Sequence, residues 1–162
     1  MSKIITIAID AMGGDNSPDK TIQGVNYFLK KNNLNRDYRL DLFGDKKKIE
    51  QKLKQYNISS NLIKVIHTDS VISDEETPIK AIKNSKNTSM WSCIKAQTDG
   101  SADISLSAGN TGVLLVLSKM ILKMIEKVSR PALAGLWPSK KNLNVVLDLG
   151  ANIECSSENL VD

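Results

Sequence analysis

Short runs of β-branched and aliphatic residues alternate along this chain with longer segments whose apolar residues recur every three or four positions. That alternation restricts the fold more than any single motif, because strands separated by helices are the pattern of a parallel sheet with helices on its faces. Strands are expected at Lys3 to Ile9, Arg39 to Phe43, Leu62 to His67, Asp103 to Leu106, Ala132 to Trp137 and Asn144 to Leu149. Helices are expected after Pro18, through Ile22, Val25 and Leu29, and again from Lys46 to Tyr56. A third opens at Thr77-Pro78, a good cap and first-turn pair, and runs past Ile79 and Ile82 to Met90 and Ile94. The fourth follows Gly112 and carries Val113, Leu117, Met120, Met124 and Val128 on one stripe. The expected class is α/β. A chain of 162 residues is long enough for one domain with a real core.

Composition removes several functions. The hydrophobic and charged fractions, 41% and 25%, are those of a folded globular chain rather than a disordered one. The net charge of +4 comes almost wholly from lysine, with arginine only at Arg36, Arg39 and Arg130, and aromatics make up 4%. Base readout favours arginine and single-strand binding needs aromatic platforms, so nucleic acid is not the expected partner. Cys93 and Cys155 form no CxxC pair, and His67 is the one histidine, too few ligands for a structural zinc site. The most apolar stretch, Thr111 to Val128, is interrupted by Lys119, Lys123, Glu126 and Lys127, which argues against a membrane span there.

Ligands of open α/β sheets bind beyond the carboxyl ends of the strands. Three segments in such positions are rich in glycine and small polar residues: Asp10-Ala11-Met12-Gly13-Gly14-Asp15, Ser107-Ala108-Gly109-Asn110-Thr111-Gly112, and Asp148-Leu149-Gly150-Ala151-Asn152. The second opens a helix, where unpaired backbone N–H groups and the helix dipole favour an anion. Ser107, Asn110 and Thr111 add hydroxyl and amide donors, while Gly109 and Gly112 admit a ligand to the backbone. A helix start that is merely capped fits the same spacing. Taken alone, Gly13-Gly14 with Asp10 and Asp15 reads first as a tight turn with turn and cap carboxylates. GxGxxG and GxxxxGK[ST] are both absent.

Lys80, Lys83 and Lys86 recur every third residue ahead of Asn87-Thr88-Ser89-Met90, a solvated row or a positive patch for phosphate or an acidic partner. Arg130, alone among lysines before Pro131, is either structural or anion-pairing. The lysines at 46–48 and at 140 and 141 read as solvated faces. A hard cation held by Asp10, Asp15 and Asp148 is chemically conceivable, though sequence spacing supplies no geometry. His67 reads as a hydrogen-bonded structural residue and Cys93 as a small core residue, so no nucleophile system is evident.

Taken in order, DAMGGD after the first strand, PIKAIKNSKNTSM from Pro78 to Met90, SAGNTG from Ser107 to Gly112, Arg130-Pro131-Ala132-Leu133 and DLGAN from Asp148 to Asn152 resemble one family. It is the bacterial phosphate acyltransferase (PlsX) family of phospholipid synthesis, and the likeness runs from residue 3 to Asp162. The resemblance implies a three-layer α/β/α architecture with a largely parallel sheet, similar to isopropylmalate dehydrogenases and phosphotransacetylases. It implies transfer of a fatty acyl group from acyl carrier protein to inorganic phosphate, giving acyl phosphate, with no cofactor and no metal carried over. The setting it implies is cytoplasmic, as a homodimer, with peripheral association to membrane or to a glycerol-3-phosphate acyltransferase.

Residue by residue, the resemblance puts Asn110, Thr111 and Lys83 in catalytic positions. Asp10, Gly13, Gly14, Asp15, Lys86, Ser107, Gly109, Gly112, Arg130, Asp148, Gly150 and Asn152 are put around phosphate or substrate. Lys83 stands where relatives commonly carry arginine and lacks that residue's bidentate fork. Chains of the family continue well past DLGAN, so residues 1–162 are expected to be the amino-terminal part of such an enzyme. The competing expectation is a non-catalytic remnant that only dimerises or binds acyl carrier protein. An incomplete sheet would expose an edge strand and an apolar face and self-associate.

Overall fold

The computed structural model describes residues 4–31, 37–73, 77–150, 154 and 156–159. Four strands, β1 (Ile5–Asp10), β2 (Tyr38–Gly44), β3 (Ile63–His67) and β4 (Ile104–Leu106), form a parallel sheet in the order β3-β2-β1-β4. In register, Ile7 lies between Leu40 and Ile104, and Ile9 between Leu42 and Leu106.

The α/β expectation is met, and the strand pattern explains its layers. Along β1 the side chains alternate, with Thr6, Ala8 and Asp10 buried and Ile5, Ile7 and Ile9 partly covered. On the isoleucine side lie α1 (Asp19–Lys31) and α2 (Lys46–Gln55), whose Ile22, Val25 and Ile49 close over Leu40 and Leu42. Each of these fully buried aliphatic side chains contributes about 1.5–3 kcal/mol relative to exposure. The opposite face carries α4 (Ser89–Thr98), with Cys93 and Ala96 on Ala8 and Phe43. Against α4 packs α5 (Thr111–Leu122), which in turn carries α3 (Pro78–Lys83), with Ala81, Met90, Ile94, Val113, Leu117 and Ile121 forming one core cluster. Lysines crowd the first turn of α2 without disrupting it because Asp45 caps it, accepting from the N–H groups of Lys47 and Lys48 at 3.0 and 3.2 Å.

Three expectations change. The single helix from Thr77 towards Ile94 is two, because Ser85 and Thr88 turn their hydroxyls onto the backbone. Ser85 Oγ donates to the Ile82 carbonyl (2.8 Å) and Thr88 Oγ1 to that of Ser85 (2.7 Å), and Thr88 then caps α4 by accepting from Trp91 N–H (3.2 Å). The last helix stops at Leu122 rather than reaching Val128, since Lys123 takes a left-handed φ of 67°. The last two strands, β5 (Gly135–Pro138) and β6 (Leu143–Val146), lie outside the four-stranded sheet and pair antiparallel as a hairpin. Their connection allows nothing else. Ser139 and Asn142 close it with hydrogen bonds of 2.6–3.1 Å, whereas a parallel crossover needs a dozen or more residues.

The outer strand β4 has no neighbour beyond it among the described residues, and Ile104 and Leu106 on it are about half exposed. No helix among the described residues is long and apolar enough to cross a membrane.

Candidate active site

From β1 the chain crosses through α1 to β2 on one side, while β4 returns to β1 on the other, so the strand order reverses between β1 and β4. Open α/β sheets form their ligand crevice at such a reversal, beyond the carboxyl ends of the strands. The two glycine turns that follow β1 and β4 meet there. A Cβ on Gly13 would lie 2.6 Å from Asp10 Oδ2, 2.8 Å from Ser107 Oγ and 2.9 Å from Gly109 N. Gly14, at a φ of +85°, passes so close to the Ala108 carbonyl that a Cβ would sit 2.6 Å from its oxygen. Both turns therefore need glycine for their mutual approach.

What joins them is a buried carboxylate. Asp10 ends β1 on the α4 face and is 2% exposed. Its Oδ1 accepts from Met12 N–H at 3.2 Å and its Oδ2 from the Ser107 hydroxyl at 2.7 Å. Ser107 Oγ in turn accepts from Gly109 N–H at 3.1 Å. This relay hydrogen-bonds Asp10, Ser107 and the Gly109 amide to one another and sets the spacing of the two turns.

Asn110 caps α5, its Oδ1 accepting from Val113 N–H at 3.1 Å. Thr111 and Gly112, the first residues of α5, are exposed at the helix's positive end. In front of the turns lies a cavity of about 290 Å³, lined by Gly13, Gly14, Asp15, Ser17, Lys20, Thr21 and Ala108. Ser17 Oγ donates to the Gly13 carbonyl (2.5 Å), and α1 begins immediately afterwards. Sequence reasoning stopped at Asp15 and Pro18 and passed over Lys20. The available signal was its place in the first turn of the helix that leaves the glycine turn.

Of the anticipated residues only Gly13, Gly14 and Asp15 are in that lining; Asn110, Thr111 and Gly112 stand outside it at the start of α5. Lys83 ends α3 and Lys86 lies in the turn before α4, both exposed. Arg130 and Asp148 line a separate cavity of about 470 Å³ between the end of α5 and the hairpin, with Lys119, Leu122, Ile125 and Leu147. Arg130 donates to the Glu154 carbonyl at 2.7 Å. Gly150 is exposed at a φ of +80°, its N–H bonded to the Asp148 carbonyl. Asn152 lies outside the described residues. Asp148 is thus apart from Asp10 and Asp15, and no three metal-ligating side chains cluster among the described residues.

Cys93 is 1% exposed behind Asp10. Burial, with the nearby Asp10 charge, pushes its thiol up to about 12, so at neutral pH it is a protonated core residue. His67 accepts from Lys46 N–H at 3.3 Å beside α2, a structural placement.

The profile of the family described as "Fatty acid synthesis protein" matches residues 5–162. The chain belongs to that family. It is 54% identical over 162 residues to a phosphate acyltransferase of Pelagibacter ubique, a match covering 100% of this chain and 47% of that one. A phosphate acyltransferase of Paramagnetospirillum magneticum is 39% identical over 162 residues, covering 100% and 45%. One of Beijerinckia indica is 38% identical over 163 residues, covering 100% and 42%. The chain spans about half the length of the curated relatives it matches.

Proposed function

We propose that the cleft between β1 and β4 is the phosphate-binding part of a phosphate acyltransferase, which moves a fatty acyl group from acyl carrier protein to inorganic phosphate. The observation that carries the reading is the meeting of both glycine turns at the strand reversal, within a family whose relatives bear that name. Phosphate is an oxyanion nucleophile already. A thiolate leaves readily because thiols ionise near pH 8.5. The reaction therefore asks for positioning and for stabilisation of the thioester oxygen as it becomes an oxyanion, not for a histidine base.

Within this reading the Thr111 hydroxyl and the N–H groups of Thr111 and Gly112 hold phosphate or the thioester oxygen at the start of α5. Asn110 fixes the helix start, and the Asp10–Ser107–Gly109 relay keeps the turns at the right separation. Lys83 and Lys86, exposed beyond the cleft, suit the acidic surface of a carrier protein. Arg130, Asp148, Gly150 and Asn152 belong to a second wall. The proposal extends to a cytoplasmic homodimer that works close to the membrane.

Acyl phosphate formation from acyl carrier protein and phosphate tests this, with the chain alone and with the carboxy-terminal half of a relative added. Product in either case supports the assignment. Carrier-protein binding without product in both cases favours a non-catalytic remnant. In the active combination, Thr111→Val is expected to raise the KM for phosphate roughly tenfold, the loss of about 1.4 kcal/mol expected for a hydrogen bond to a charged group. An unchanged KM removes Thr111 from the site.

A further inference from the structure

The cleft has a charge problem that the glycine turns do not solve. The Asp15 carboxylate lines it and the Asp10 carboxylate lies beneath Gly13, so an entering phosphate meets two groups of its own sign. Oriented amides and one helix terminus supply only partial positive charge. The lysines on which sequence reasoning relied, Lys83 and Lys86, are not in the lining.

Lys20 is. It is the one basic side chain among the residues lining this cavity, and it shares the lining with both glycines. Its neighbours on α1 do not divert it: the Asp19 carboxylate is taken by Lys52, Tyr56 and Gln23. The Lys20 ammonium has neither an ion pair nor a hydrogen bond to any described residue. In the first turn of α1 a cation also gains nothing from the helix dipole, so the helix itself gives no reason for a lysine there.

We propose that Lys20 is the phosphate-pairing cation of this cleft, offsetting Asp15 and Asp10 and drawing the anion past the glycine turns towards the start of α5. An ammonium on a flexible stem suits the role, since it follows a phosphate oxygen as a point charge without a fixed fork. The inference rests on the phosphate reading of the site and deepens it by naming the group that makes the cleft attractive to an anion.

The test is titration of inorganic phosphate into the full 162-residue chain at low ionic strength, followed by ³¹P line broadening or calorimetry. The variants are Lys20→Met, Lys20→Arg and, on the exposed face of α2, Lys54→Met. Loss of one partly exposed ion pair predicts that Lys20→Met weakens binding about three- to fivefold. Lys20→Arg should stay within about twofold and Lys54→Met should match the unaltered chain. The thermal midpoint of Lys20→Met should be unchanged or slightly higher, because a lysine leaves a helix N-terminus, and that separates lost binding from lost folding. Equal phosphate binding by Lys20→Met and the unaltered chain overturns the Lys20 assignment alone. No phosphate binding by the unaltered chain, either alone or with the carboxy-terminal half of a relative added, overturns the phosphate reading together with it.

Discussion

The four-stranded sheet and the β5–β6 hairpin are built from similar residues and have opposite fates. In β2, Leu40 and Leu42 are at most 2% exposed, whereas Leu136, Trp137, Leu143 and Val145 in the hairpin are 60–68% exposed. Both segments have strand-forming composition and both form complete backbone ladders. The difference is coverage: α1 and α2 lie over one face of the sheet and α4 over the other, while the described residues place no second layer on the hairpin. Apolar content makes a segment eligible for a core. What packs on it decides whether it joins one.

The largest effect that tests this contrast is core truncation. Leu42→Ala, at 0% exposure, should cost about 2–5 kcal/mol in urea unfolding, and Val145→Ala within about 0.5 kcal/mol. Comparable losses at the two positions would mean that the hairpin is covered in solution, with self-association through it or through β4 the first thing to measure by sedimentation.

A smaller effect separates two left-handed glycines. Gly150→Ala meets open space and should cost only the conformational penalty, about 1–2 kcal/mol. Gly14→Ala meets the Ala108 carbonyl as well, so it should cost about 1–3 kcal/mol more and weaken phosphate binding. Equal costs would show that the two turns do not hold each other as closely as the fold indicates.

Spread over several pH units rather than read at one condition, a pH slope reports how dry the core is. Because the folded Cys93 thiol lies near 12 and the unfolded one near 9.0, its contribution is fully present below pH 9 and lost as pH rises towards 12. Over that window the unaltered chain should lose up to about 1.4 kcal/mol per pH unit relative to Cys93→Ala. Parallel pH profiles for the two proteins would mean that water reaches Cys93.

Much of this was legible in the residues. The first four strands and the helices after Pro18 and Asp45 follow from periodicity and capping, which are local, and the turns at Asp10–Asp15 and Ser107–Gly112 stand out because glycine there has few other uses. The hairpin was missed because a run of strand-formers does not state its partner, although the short Ser139–Asn142 connection already forbade a parallel crossover. The break between α3 and α4 is not visible in the apolar pattern, because helix spacing continues across it; the left-handed φ of 68° at Asn87 and the hydroxyl-to-backbone bonds of Ser85 and Thr88 interrupt the helix.

By itself, then, the sequence determined an alternating α/β chain with two glycine turns at strand ends, because periodicity and backbone tolerance are properties of neighbouring residues. Tertiary structure alone decided that these turns belong to one cleft, that Asp10 and Ser107 bond to each other where the turns meet, and that Lys20 lines it while Lys83, Lys86, Arg130 and Asp148 do not. Those are relations between residues up to 97 positions apart, fixed by the strand order that sets β4 beside β1. No local preference encodes that neighbourhood; the buried faces of the sheet do.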